Sequence, residues 1–110
     1  MELPNGKNAI VSKEKLTDYL LSETHPVGSS KARYFRKLGF NKLNISRLEK
    51  LLLKIAGNNK IKNTKEFTYG INYVIEGKIK TPSGKVVTIA TVWFTKTKES
   101  KPSFVTAYPV

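Results

Sequence analysis

One side chain in the 110-residue sequence titrates near neutral pH without any perturbation: His25, the single histidine. It lies in the stretch Leu20-Leu21-Ser22-Glu23-Thr24-His25-Pro26-Val27-Gly28-Ser29-Ser30-Lys31-Ala32-Arg33. This reads as a Pro/Gly loop leading into a helix whose first turns hold Lys31 and Arg33. The free N–H groups and partial positive charge of a helix start favour a phosphate. A proton-transfer group beside an anion site is what phosphodiester chemistry requires. In RNA cleavage without a metal, a base removes the 2′-hydroxyl proton and an acid protonates the departing 5′-oxygen. Cationic groups stabilise the phosphorane-like transition state. One His, one Lys or Arg and a few hydroxyls suffice. The competing reading of His25 is a surface or structural histidine in a basic protein. Gly28 either permits the turn before the helix or lets a phosphate or sugar approach the backbone closely, and both can hold.

Two further segments contain polar groups beside aromatic rings. Thr91-Val92-Trp93 sits in an apolar run, where a single Trp is ordinarily core. If that face opens to a cleft, Trp93 stacks a base and Thr91 donates a hydrogen bond. In Ser103-Phe104-Val105-Thr106-Ala107-Tyr108-Pro109, alternation puts Phe104, Thr106 and Tyr108 on one face and Val105 and Ala107 on the other. That face suits a phosphate or base contact, or is one side of a half-buried edge strand ended by Pro109. Tyr19, Tyr69 and Tyr73 read by default as core or surface residues, with a ring-platform role as the alternative. Lys60, Lys62 and Lys65 read as a solvated loop that adds electrostatic attraction.

The elements that must position these groups fall into two halves with no linker. Residues 12–57 read as helices. Ser12 is the candidate N-cap of the first, with Leu16, Tyr19 and Leu20 on one face, and the helix stops before Pro26. Ser29 or Ser30 caps a second helix through Leu38, with Tyr34, Phe35 and Leu38 as its stripe and Gly39 as its stop. Ser46-Arg47-Leu48-Glu49 reads as a capping box opening a third helix. Leu48, Leu51, Leu52 and Ile55 form its apolar face, and Gly57 ends it. Residues 58–66 read as a polar loop. Phe67 to Lys80 is a long strand, with a break or bulge expected at Gly70 or Gly77. A turn at Thr81-Pro82-Ser83-Gly84 leads to a central strand from Val86 to Thr95. A turn over Lys96 to Pro102 leads to a last strand from Ser103 to Tyr108. The predicted fold is α+β, one domain over 1–110, with N-terminal helices packed on a C-terminal antiparallel meander.

Composition narrows the chemistry. Apolar residues make up 39% and charged residues 25%, as in an ordinary globular domain. The chain has no cysteine and one histidine, so thiolate and multi-histidine metal sites are excluded, and metal-independent catalysis is expected. No cofactor is expected. No apolar run is long enough to span a membrane, and Met1-Glu2-Leu3-Pro4-Asn5-Gly6 lacks signal-peptide features. Twenty Lys/Arg against eight Asp/Glu give a net charge of +12. Between Lys31 and Lys62 there are ten basic residues and one acid, Glu49. Such density calls for a polyanionic partner, nucleic acid being the commonest; an acidic protein or an anionic membrane fits the charge as well.

Three pieces together resemble a small bacterial domain family found as toxin tips and as stand-alone proteins. They are Tyr19-Leu20-Leu21 through His25-Pro26-x-Gly28-x-x-Lys31-Ala32, the Thr91-Val92-Trp93 strand, and the closing Val105-Thr106-Ala107-Tyr108-Pro109. The order of elements resembles the wider barnase–EndoU–colicin D–RelE nuclease superfamily, which includes contact-dependent inhibition toxins. The resemblance implies a metal-independent ribonuclease, often acting on tRNA, that works in the cytoplasm of the producing or target bacterial cell. It implies a dedicated immunity or antitoxin protein, expected to be acidic, and no membrane partner. It points to His25 as acid/base, Lys31 as phosphate ligand or transition-state stabiliser, and Thr106 as a further active-site contact. Thr91 and Tyr108 follow as substrate contacts. Where the small family places an Arg after the Gly, this chain has Ser29, and Arg33 is the candidate to take its phosphate role. The alternative function is a non-catalytic basic module that binds nucleic acid. An antitoxin-like protein-interaction domain is the third, and the sign of the charge argues against it.

Overall fold

The computed structural model describes residues 2–16, 29–97 and 99–110. In chain order it contains α1 (Lys13–Lys15), α2 (Ser29–Lys37), α3 (Ile45–Asn58), β1 (Asn63–Phe67), β2 (Gly70–Lys80), β3 (Val86–Thr95) and β4 (Ser103–Pro109). The four strands form one antiparallel sheet in the order β1-β2-β3-β4. The architecture is α+β, as the sequence predicts.

Helix α2 buries Ala32, Phe35 and, just past its end, Leu38. Its C-terminus closes as a Schellman motif: Gly39 N donates to Arg36 O at 2.9 Å and Phe40 N to Phe35 O at 3.1 Å. Gly39 takes φ 99°, which glycine adopts without steric cost. The expected stop is therefore in place. The closed end docks on the β2–β3 turn, where Ser83 N donates to Leu38 O at 3.1 Å.

The capping box predicted at Ser46 to Glu49 forms instead one turn earlier. Leu43 N donates to Asn41 Oδ1 and Asn41 N to Asn44 Oδ1, both at 2.8 Å, around the 3₁₀ turn Lys42–Asn44. Two asparagines supply the acceptors, so α3 starts at Ile45 and Ser46 is already helical. It continues through Gly57 to Asn58, and Asn59 N closes it on Ile55 O at 3.1 Å. Leu48, Leu52, Ile55 and Ala56 are buried.

Of the two expected sites of a break or bulge, the chain breaks at Gly70, where β2 begins after the turn, and β2 runs unbroken through Gly77. The glycine serves close approach: a Cβ would stand 2.7 Å from Ile55 Cγ1 and 2.6 Å from Asn59 Nδ2. Helix α3 thus rests directly on β2. Gly77→Ala is expected to cost about 1–3 kcal/mol through overpacking, read as a lower midpoint in chemical denaturation. An unchanged midpoint would show that α3 shifts freely on the sheet.

The expected polar loop over residues 58–66 is in part a strand. Asn63 to Phe67 pairs with Val74 to Gly70 through the two-residue turn Thr68-Tyr69. Asn63, Thr64, Lys65 and Glu66 are all exposed, so this edge strand has no apolar alternation to betray it.

Candidate nucleic-acid interface

The pleat divides the sheet into two chemically different faces. Tyr73, Ile75, Gly77 and Ile79 of β2, with Ile89, Thr91, Trp93 and Thr95 of β3, are buried on the face that meets α3. The other face presents Asn72, Val74, Glu76 and Lys78 beside Thr88, Val92 and Phe94, all half-buried or exposed, around the small buried Ala90.

Strand β4 does not keep one alternation along its length. Trp93 pairs with Phe104 but Val92 pairs with Thr106, so a β-bulge at Val105 switches the faces. Phe104 therefore joins the core, with its ring 5.5 Å from that of Trp93 at 69°. Thr106 and Tyr108, opposite Val92 and Ala90, stand on the other face. The expected shared face of Phe104, Thr106 and Tyr108 is corrected accordingly. Thr106 and Tyr108 stay together, both half-buried and both engaged in interactions.

The substrate-contact reading of Thr91 and Trp93 is corrected as well. Both are fully buried on the α3 face, with 0% exposure. Trp93 Nε1 donates to Thr91 Oγ1 at 2.8 Å, and Thr91 Oγ1 donates to Ile75 O at 2.8 Å. Their polar atoms satisfy one another inside the core, which leaves nothing to offer a nucleotide. Tyr73 is likewise core, at 4% exposure.

His25 and Gly28 lie outside the described residues, as do the first helix beyond Leu16 and Tyr19. Lys31 is placed in α2 by its backbone, and Arg33 is exposed on the same helix. Helix α2 lies against β4. The helix packs through Phe35 on the core face of the sheet, with Trp93 and Phe104, whereas Thr106 and Tyr108 stand on the opposite face, so this contact alone does not bring Lys31 and Arg33 to them.

The sequence reading missed a basic track beside α3. Arg47, Lys50 and Lys54 recur at i, i+3 and i+7 on its exposed side. Arg47 Nη2 donates to Lys80 O at 3.3 Å, tying the track to β2. A groove of about 220 Å³ between the two elements is lined by Lys54, Asn58, Lys78 and Lys80 among others. A larger cleft of about 550 Å³ lies at the other edge, between Pro4, Ile61 and β1. Among the described residues there is no group of three potential metal ligands, and no helix is long and apolar enough to cross a membrane.

Helices on one face of a four-stranded antiparallel meander define a small α+β domain whose fold recurs in a solved structure. A chain of a contact-dependent growth inhibition toxin–immunity protein complex from Klebsiella pneumoniae 342 superposes with a TM-score of 0.73. The two are 23% identical, and 96% of each chain is covered. The sequence belongs to the family described as Domain of unknown function (DUF6883), whose model matches residues 2–110. No curated protein matches it.

Proposed function

We propose that this chain is a toxin-type, metal-independent ribonuclease of the barnase–EndoU–colicin D–RelE kind, acting on tRNA or another cellular RNA in the bacterial cytoplasm. One observation supports it above the others: a net charge of +12, with ten basic residues and one acid between Lys31 and Lys62, suits a polyanionic substrate. The fold shared with a chain of a toxin–immunity complex supports the same reading.

His25, as general base or acid, serves one end of the reaction. The 2′-oxygen loses its proton and attacks phosphorus, the bond to the 5′-oxygen breaks, and that oxygen gains a proton. The products are a 2′,3′-cyclic phosphate and a 5′-hydroxyl. Lys31 stabilises charge on the phosphorane-like transition state, Thr106 adds a hydrogen bond, and Arg33 and Tyr108 hold the flanking substrate. Gly28 leaves the backbone free to approach the phosphate. An acidic immunity protein is the expected partner, since it complements the surface charge.

Purified, partner-free protein is expected to fragment cellular RNA in EDTA and leave cyclic-phosphate termini. RNA that survives under those conditions overturns the enzyme and leaves the non-catalytic nucleic-acid-binding module, which the basic track on α3 and β2 favours as the second reading.

A further inference from the structure

The hairpin end of the sheet holds a cluster that the proposed chemistry does not use. The β1–β2 turn is Thr68-Tyr69, and the Tyr69 ring stacks on Phe67 with centroids 5.2 Å apart and planes 14° apart. Tyr69 also leans on Phe94, 6.0 Å away at 34°. Lys65 Nζ stands 5.4 Å from the Phe67 centroid, within cation–π range. Gly70 makes the assembly possible, because a Cβ there would run into the Phe94 ring and Thr95 O. Lys96 follows Thr95, the register partner of Ile71, so a second exposed ammonium belongs to this end of the sheet.

Phe67 and Phe94 are half-buried. Tyr69 is 68% exposed, so most of its ring is given to solvent while two other rings hold it in place. An exposed ring resting on two others, with Lys65 at the Phe67 ring and Lys96 at the same end of the sheet, offers a face to a base and cations to its phosphates. We propose that Tyr69, backed by Phe67 and Phe94 and with Lys65 and Lys96 at the same end of the sheet, is a stacking platform for an unpaired base of single-stranded nucleic acid. The proposal rests on nucleic acid being the polyanionic partner, and not on the role of His25. Stacking on an aromatic side chain contributes about 1–3 kcal/mol per base and tolerates any base. The ring already rests on Phe67 and Phe94, so less side-chain freedom is lost on binding than for an unsupported ring. Bases inside a duplex stack on one another and leave no face for it. The platform therefore selects loops and single strands.

The test uses a fluorescent 2′-O-methyl RNA hexamer, which has no free 2′-hydroxyl to attack and so stays intact whatever the enzyme does. Tyr69→Ala is expected to weaken its binding roughly tenfold, and Tyr69→Phe by less than about twofold. Binding of a duplex of equal charge should be the same for all three proteins. Tyr69→Leu keeps apolar cover on Phe67 and should behave as Tyr69→Ala does; melting curves confirm that each variant is folded. Unchanged hexamer affinity overturns the platform. Equal loss for hexamer and duplex does so too, because it traces the effect to charge or folding. If the Tyr69 variants lose affinity only for a purified immunity protein, the ledge belongs to that partner and the proposal is again overturned. Hexamer binding through Tyr69 without any RNA cleavage would sustain the platform while removing the ribonuclease.

Discussion

RNA cleavage by a His25→Ala protein is expected to fall by about 10²–10⁴-fold, the contribution of a positioned general acid or base. Its affinity for RNA should barely change, because the substitution removes no permanent charge. Lys31→Ala should behave differently. It removes a cation that meets phosphate in both the bound and the reacting state. Binding therefore weakens together with cleavage, and the slope of log affinity against log salt drops by about 0.7–0.9, the change for one phosphate no longer neutralised. Single-turnover cleavage at saturating enzyme separates the two effects. In cells, His25→Ala should allow expression without a partner, where the unmodified chain arrests growth. A His25→Ala protein that cuts as fast as the parent ends the catalytic reading and leaves only the basic surface.

The separation of site from core depends on one residue that no sequence pattern reveals. A strict alternation through β4 puts Phe104 with Thr106, yet the bulge at Val105 sends Phe104 to Trp93 and Thr106 to the opposite face. Bulges shift the alternation by one without any marker such as Gly or Pro, so Val105 reads as ordinary strand. Thr91 misled for a related reason. A hydroxyl beside a Trp looks like a ligand pair, but the same two groups satisfy each other when buried. Burial, which decides between these readings, is a property of what covers the strand.

Helices α2 and α3 and the two long strands were readable because packing leaves a period in the sequence. Leu48, Leu52 and Ile55 show the helical repeat, and Val86 to Thr95 matches β3 residue for residue. Of the β1–β2 hairpin only the break at Gly70 was readable, not the strand before it. Its turn, Thr68-Tyr69, has neither the Gly nor the Asn that signals a tight hairpin, and neither residue takes positive φ. The same Tyr69 then supplies the exposed ring at the sheet's end. The residue that hid the hairpin is thus the one that gives this edge a surface for a ligand. The basic track was missed for a different reason. Arg47, Lys50 and Lys54 are visible as a helical stripe, but Lys78 and Lys80 join them only through the packing of α3 on β2.

Substitutions at Trp93 and Thr91 should damage the fold and not the chemistry. Trp93 is the largest fully buried side chain, and truncating a buried aromatic to alanine costs about 3–5 kcal/mol. Against a total stability of about 5–15 kcal/mol for such a domain, Trp93→Ala leaves a protein that is marginal or unfolded. Thr91→Val removes the acceptor of Trp93 Nε1 and strands a buried donor, at a cost of about 1–3 kcal/mol. Trp93→Phe leaves Thr91 bonded to Ile75 O, so its cost comes from the space vacated by the indole. The double variant Thr91→Val, Trp93→Phe is the informative one. It removes donor and acceptor together, so it should cost less than the two single changes added. Denaturation midpoints measure all three. Full additivity would mean that the indole N–H and the Thr91 hydroxyl do not depend on each other. Cleavage per folded molecule should stay near the parent value in every variant that folds, because these side chains lie on the face away from Thr106 and Tyr108. A loss of activity without a loss of stability would return Thr91 and Trp93 to the site.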